Sequence, residues 1–446
     1  MTCLEKVEVI PSARKLVNSL RNIGYEFTTA IADLVDNSLE ANATSVKIDV
    51  EFLGKDSFVR IADNGKGMNV QELREAMRLG SRNDFEKEDD LGKFGLGLKT
   101  ASFSQCRSLV VASRSERFKK NINAFGWDLD EIEYSDKWEV TKIEPSAIKD
   151  LLGHHLSDEP GTVVIWRKLD RILNMKNPEG EAARKRLTSM CHELEDHLSM
   201  VFHRFLNGEV PGRTLRIYIN DRKISAWDPY CRQEEHTQVF DSVKLDLDNN
   251  GKVGFITLQP YILPPEKNFS SRAAFIKASG PKKWNRQQGF YIYRANRMIQ
   301  SGGWAGIRTV DEHLKLARIS LDFSSYLDDY FNLNISKMQV KLPQDVRDKI
   351  TDALAKVVTK ANQTYRKKND SPNQPKESPP HPPVPNPPQT GEKSKDIRTS
   401  VKSQGLWSLE DLKTYLLTLA EGEETAIIER LFDKLTIELE GIHNGS

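Results

Sequence analysis

What most limits the fold of this chain is a change of hydrophobic period early in its sequence. Phe27, Ala30, Ile31, Leu34 and Val35 recur at the spacing of one helix face. A few residues later Val46, Ile48, Val50 and Phe52 alternate, as one face of a strand does. A second alternating run, Phe58–Ala62, reaches Asp63 and then turns on Gly65 and Gly67. Helix, strand, strand and turn in that order predict an α+β plan in which helices lie on one face of a sheet.

Three stretches of this segment carry polar residues that a core does not require. Asp33 and Asn37 stand four apart in the helix predicted over 27–41, so they share a face of it. A carboxylate and an amide side by side can hold a metal ion and a water. Asp63, Asn64, Gly65, Lys66, Gly67 and Met68 form a turn that can bring backbone close to a flat ligand while presenting one carboxylate. Gly92, Gly95 and Gly97 precede a helix-like segment beginning near Lys99 and Thr100. Free N–H groups at a helix start make such a loop an anion site. Each stretch alone has a plainer reading, as solvated helix surface, ordinary turn or glycine loop. Their succession within one domain-sized segment favours a single nucleotide site.

The wording AIADLVDNSLEANATSVKI, IADNGKGM and GKFGLGLKTAS resembles the GHKL ATPases, nearest to MORC and MutL proteins. That resemblance implies a Bergerat-type ATPase sandwich that binds ATP with magnesium. It makes Asn37 the magnesium ligand, an oxygen donor suited to a cation that shares its shell with phosphates. It gives Asp63 the adenine amino group, Gly65, Gly67 and Met68 the base, Gly92, Gly95 and Gly97 the phosphates, and Lys99 a share of the phosphate charge. Thr162 would stand behind the adenine, although Gly161-Thr162 also reads as a strand start. Position 33 departs from the family, which has glutamate as the base where this chain has aspartate. A carboxylate one methylene shorter is set back by about 1.5 Å, and misplacement on that scale can cost about a hundredfold in rate. Asp36, next to Asn37, points elsewhere on the helix and is the weaker candidate for the base.

The resemblance continues into a transducer-like second domain. GFYIYRANRMIQ looks like its strand-turn-strand, and FNLNISKMQVKLP like its lysine loop, with Lys337 as the lysine that reaches the terminal phosphate. The expected organisation is an ATP-binding domain over 1–210 and a transducer domain over 211–366, including strands at 215–219, 252–258 and 289–294. Nine prolines between Pro372 and Pro388 make 367–404 an extended linker that cannot build a core. Residues 405–446 carry apolar residues at helical spacing and read as a helical interaction module.

Charge and cysteine content exclude less. Lys plus Arg number 65 and Asp plus Glu 64, so net charge names no partner. Cys3, Cys106, Cys191 and Cys231 are scattered without metal or disulfide spacing. His192 and His197, beside Cys191, read as helix surface. The sequence shows no signal peptide and no run apolar enough to span a membrane, so the expected compartment is cytoplasmic. Between Lys267 and Val310 nine Lys or Arg residues occur with no acidic residue, among them Lys282, Lys283, Arg286, Arg294 and Arg297. Such a stretch offers a basic face to nucleic acid. The full expectation is a slow ATPase that closes as a nucleotide-gated homodimer and acts on DNA, in processing or antiviral defence. A separate nuclease or helicase would bind through the terminal helices. The alternatives are a chaperone-like ATPase acting on protein clients and an ATP switch that does not hydrolyse.

Overall fold

The computed structural model describes residues 9–22, 24–80, 97–117, 121–249, 252–324, 327, 328, 331 and 342–366. Gly92, Gly95, Lys337, the expected linker and the terminal helices lie outside these residues.

Eight strands form the first sheet: β1 (Ser45–Glu51), β2 (Phe58–Asp63), β3 (Ser108–Arg114), β4 (Ile122–Asp128), β5 (Thr141–Ile143), β6 (Gly161–Arg167), β7 (Arg216–Ile219) and β8 (Arg222–Lys223), in the order β5-β4-β3-β6-β2-β1-β7-β8. Alternation does what the pattern predicts. Val46, Ile48 and Val50 of β1 are buried on one face, beside Val59 and Ile61 of β2. That face is covered by α1 (Ala13–Arg21), α2 (Phe27–Glu40), α3 (Val70–Met77) and α4 (Gly97–Phe103), joined from later in the chain by α7 (Glu181–Val201) and α8 (His203–Leu206). The sheet is not bare on its other side. Phe58, Ala62, Val110, Val163 and Ile165 form a smaller apolar cluster there with Ile148, Leu152 and Leu156. The latter residues come from the segment around the short α6 (Lys149–Leu152), which follows α5 (Leu129–Ser135).

The expected strand at 215–219 exists but belongs to the first sheet. β7 pairs in parallel with β1, Ser45 opposite Arg216, and buries Ile217 and Ile219 in the first core. The edge of β1 away from β2 carries a row of backbone donors and acceptors, and β7 satisfies them.

A second sheet has the path β10-β11-β14-β12-β13, with β9 pairing β11. Its strands are β9 (Gln238–Val239), β10 (Val243–Asn249), β11 (Lys252–Ile262), β12 (Gly289–Arg294), β13 (Arg297–Ser301) and β14 (Ala317–Phe323). Two short helices, α9 (Arg272–Ala278) and α10 (Lys283–Gln287), lie between β11 and β12. Ala295 and Asn296 both adopt positive φ, 47° and 66°, so the β12–β13 turn has the left-handed backbone conformation whose twist matches that of the two strands it joins. α11 (Gln344–Arg366) buries Val346, Ile350, Leu354, Val357 and Ala361 in the second core, at helical spacing. No helix of the described residues is long and apolar enough to cross a membrane.

Candidate active site

The site begins on α2, and that helix is not amphipathic in the ordinary sense. Ala30, Ile31, Ala32, Leu34 and Val35 are buried, but so are Asp33, Asp36 and Ser38. The plain reading of Asp33 as solvated surface is therefore overturned. α2 is sandwiched between the first sheet and the neighbouring α4 and α7, so its polar side chains need protein partners. Tyr25 donates its hydroxyl to Asp33 Oδ2 at 2.9 Å. Arg297, arriving from β13, donates Nε to Asp36 Oδ1 at 3.1 Å and lies 3.0 Å from Oδ2. Its Nη2 is 3.5 Å from Asp33 Oδ1. Asn37, one helical turn beyond Asp33, is only half-buried, and its side chain makes no hydrogen bond to a described residue.

At the end of β2, Asp63 is fixed by its neighbours. Gly65 N donates to Oδ1 at 2.8 Å, and the Ser38 hydroxyl lies 3.2 Å from Oδ2 and 3.1 Å from the Leu34 carbonyl. Burial pushes the Asp63 carboxyl up to about 6, against those hydrogen bonds, which pull it down. Thr162 stands opposite Asp63 across the β2–β6 pair. Its hydroxyl is 3.0 Å from Ser113 Oγ, which accepts from Met68 N at 2.8 Å and donates to the Gly161 carbonyl at 2.8 Å. Asp63, Thr162, Ser113 and the backbone of Met68 thus form one connected polar floor.

The glycines of the turn are required by the protein's own backbone. A Cβ on Gly67, at φ +62°, would lie 1.8 Å from the Arg114 carbonyl oxygen, and one on Gly65 would lie 2.7 Å from the Ala41 Cβ. Lys66 N donates to the Ala41 carbonyl and Glu116 N to the Lys66 carbonyl, which ties the turn to α2 and to the end of β3. The sequence reading credited these glycines with admitting a flat base; the geometry shows that they first let three backbone segments meet. The capping box of Asn69 and Glu72 then starts α3 directly after the turn.

Lys99, expected near phosphate, is buried in α4 and donates Nζ to the Ala76 carbonyl at 2.9 Å. An ammonium at the C-terminal end of α3 complements the helix dipole, and burial lowers its pKa to about 8. Gly97 opens α4, and a Cβ there would meet no atom of the described residues within 4 Å.

The expected basic face is largely dismantled. Arg294 is buried and holds Asp328, with Nε–Oδ1 2.7 Å. Arg297 is buried against Asp36 and Asp33. Lys282 donates Nζ to the Ser301 carbonyl at 3.0 Å and to its hydroxyl at 2.9 Å. Lys283 and Arg286 of α10 remain exposed, with Arg272 and Lys277 of α9 exposed nearby in sequence. Trp284 stacks on Phe275 at 4.6 Å and packs on the second core. The reason is simple: an acid-free run in sequence can be neutralised by carboxylates from far along the chain. His197 also departs from the surface reading. It is half-buried, and burial, with Arg297 and Lys282 beside it, pushes its ring down to about 4.

The second sheet is joined to the first layer by a further polar cluster that the sequence did not reveal. His203 of α8 lies 2.8 Å, through Nε2, from the Tyr293 hydroxyl, which accepts from Tyr230 at 2.8 Å. Arg204 places its guanidinium 3.6 Å above the Tyr293 ring and pairs with both oxygens of Asp322 on β14, Nη2–Oδ2 at 2.9 Å.

A buried carboxylate and a half-buried amide thus stand one turn apart on α2, and Ser38 of the same helix reaches the Asp63 carboxylate at the end of β2. Residues 25–162 match the family of histidine kinase-, DNA gyrase B-, and HSP90-like ATPases. Relatives of this chain include MutL and MORC proteins. Over 140 residues the chain is 31% identical to the DNA mismatch repair protein MutL of Trichormus variabilis, covering 31% of this chain and 22% of that protein. It is 29% identical over 151 residues to Protein MICRORCHIDIA 5 of Arabidopsis thaliana, covering 32% and 21%. With the ATPase morc-1 of Caenorhabditis elegans it shares 31% identity over 99 residues, covering 22% and 11%. The matched segment therefore spans about a fifth or less of the length of these relatives.

Proposed function

We propose that this chain binds ATP with magnesium between α2 and the Asp63 turn and hydrolyses it slowly. The observation that carries the reading is the placement of Asp33 and Asn37 on one helix beside Asp63, Ser38 and Thr162. Asp63 keeps carboxylate lone pairs for an adenine amino group, which guanine replaces with a carbonyl. Asn37 fits a magnesium ion, because its amide is only half-buried and makes no hydrogen bond to a described residue, and its oxygen is a hard donor. Magnesium supplies charge neutralisation of the phosphates when bound. Asp33 takes the proton of the attacking water as oxygen adds to the terminal phosphorus and the bond to ADP breaks. Gly97 and the glycines before it hold the phosphates through backbone N–H groups, and Lys337 of the transducer-like domain reaches the terminal phosphate.

ATP then acts as the signal for closure of two copies about a two-fold axis, the economical symmetry for a homodimer. DNA is the proposed partner, in keeping with relatives whose names place them in mismatch repair. The exposed Lys283 and Arg286, with Arg272 and Lys277, are the cations available to meet phosphate. The test is phosphate release and light scattering with ADP, ATP and a non-hydrolysable ATP analogue, with and without duplex DNA. Mass doubling with ATP or the analogue but not ADP is expected, with turnover that Asp33→Asn removes. An unchanged mass in every nucleotide would defeat the dimer, and the absence of ATP binding would defeat the whole reading.

A further inference from the structure

We propose that Arg297 is a positioning residue for hydrolysis, fixing the Asp33 carboxylate from the second sheet; this rests on the reading of Asp33 as the base. Asp33 meets one hydrogen-bond donor at Oδ2 and one cation, at ion-pair distance, at Oδ1. Tyr25, just ahead of α2, holds Oδ2, while Arg297 faces Oδ1 at 3.5 Å. Of these two partners, only Arg297 belongs to another sheet.

The geometry explains why the residue is an arginine. Its Nε reaches both oxygens of Asp36, at 3.1 and 3.0 Å, while Nη2 turns to Asp33. One planar fork therefore spans two carboxylates almost a helical turn apart, which the point charge of a lysine cannot do. All three side chains are buried, with relative exposures of 4% for Arg297, 5% for Asp33 and 2% for Asp36. Moving the cation away would leave two buried carboxylates without it, at a large desolvation penalty. α2 and β13 are thus bound to move together. β13 also packs on α7, and Arg297 lies 6.0 Å from the Phe202 ring, so the guanidinium is held from behind.

The consequence falls on the short base. An aspartate where the family carries glutamate has little reach to spare, so its placement depends on whatever fixes α2 and its carboxyl. In this fold that includes the hairpin turn at Ala295 and Asn296, which projects Arg297 from the start of β13. A shift of the second sheet is transmitted to the hydrolytic carboxylate through one side chain.

The experiment is a double-mutant cycle in the full chain, read by single-turnover hydrolysis and by calorimetric ATP affinity. Arg297→Lys should bind ATP within about threefold of wild type but hydrolyse it at least ~10-fold more slowly, the scale expected of a sub-ångström misplacement. In an Asp33→Asn background the same change should alter the residual rate by less than about twofold, because the residue acts through Asp33. If Arg297→Lys fails to fold, Arg297→Gln with Asp36→Asn removes both charges together, and the same selective loss of kcat is expected. A wild-type kcat in these variants, or an equal further loss in the Asp33→Asn background, overturns the inference. Asp33→Asn hydrolysing at the wild-type rate overturns the base assignment and this inference with it; a dead Asp33→Asn beside a fully active Arg297→Lys overturns the inference alone.

Discussion

Thr162 stands opposite Asp63 across the β2–β6 pair, and the Ser113 hydroxyl ties it to the turn that follows Asp63. A carboxylate in this position comes at a cost to the fold. Its folded pKa, about 6, lies above the ordinary carboxylate value because burial disfavours the charge. The folded state therefore holds the proton more tightly, so Asp63 withdraws stability as pH rises from about 4 through 6.

Asp63→Asn is accordingly expected to raise the melting temperature at pH 7.5 and to remove a falling component of stability between pH 4 and 6. The same variant should weaken ATP binding by at least ~10-fold, the scale of one charged hydrogen bond. In wild type, ATP affinity should drop below pH 6 as the acceptor is protonated. Calorimetry from pH 5 to 7.5 on both proteins separates this from titration of the nucleotide. A pH dependence identical in the two would remove Asp63 from the site.

Asn37→Ala should abolish magnesium-dependent ATP binding while changing stability by no more than about 0.5 kcal/mol, since a half-buried side chain with no hydrogen bond to a described residue carries little of the fold. Unchanged affinity in magnesium would show that the ion is held elsewhere.

How much of this was legible in the sequence follows from locality. The strand at 161–167 and the alternation of Val46, Ile48 and Val50 were readable because period-2 patterning survives in the fold. The turn after Asp63 was readable too, because Gly65, which donates to its carboxylate, is its near neighbour in sequence. Arg297 was misread because its partners, Asp36 and Asp33, lie more than 250 residues away. Arg294 was misread because its partner Asp328 lies 34 residues on, past the end of β14. Strand β7 was assigned to the wrong sheet because a short run such as Arg216–Ile219 does not encode which edge it will complete. Ser38 and Ser113 carried no signal beyond their adjacency to Asn37 and to a strand end.

The joint between the two sheets should weaken in acid. Burial holds the His203 ring at about 4, well below an unfolded histidine, so the unfolded state binds the proton first. Stability is then retained above about pH 6.5 and lost as pH falls toward 4, with His197 adding in the same direction. His203→Phe should flatten that acid limb, and should cost about 1–3 kcal/mol at pH 7 by leaving the buried Tyr293 hydroxyl one partner short. Urea unfolding at pH 5 and 7.5 provides the comparison. An acid limb of undiminished slope in His203→Phe would assign the loss to other groups.

The last prediction turns on position 33. If Asp33 is the base, Asp33→Asn keeps the side chain's shape but cannot take a proton, so turnover should fall at least ~100-fold, the scale of a lost general base. ATP binding should survive, because Asn37 and Asp63 remain. Asp33→Glu restores the family's residue and adds the missing methylene. It should raise turnover only if Tyr25 and Arg297 yield the room, since they flank the present carboxyl at 2.9 and 3.5 Å. A faster Asp33→Glu that still binds ATP normally would show that reach limits the wild-type rate. A slower one with intact Asp33→Asn behaviour would show instead that the grip of Tyr25 and Arg297 is tailored to aspartate. ATP-driven closure should persist in Asp33→Asn, since it depends on binding rather than on hydrolysis. Steady-state phosphate release and light scattering on the three proteins decide the matter. Asp33→Asn turning over at the wild-type rate would move the base to Asp36 or to a group delivered with the second subunit.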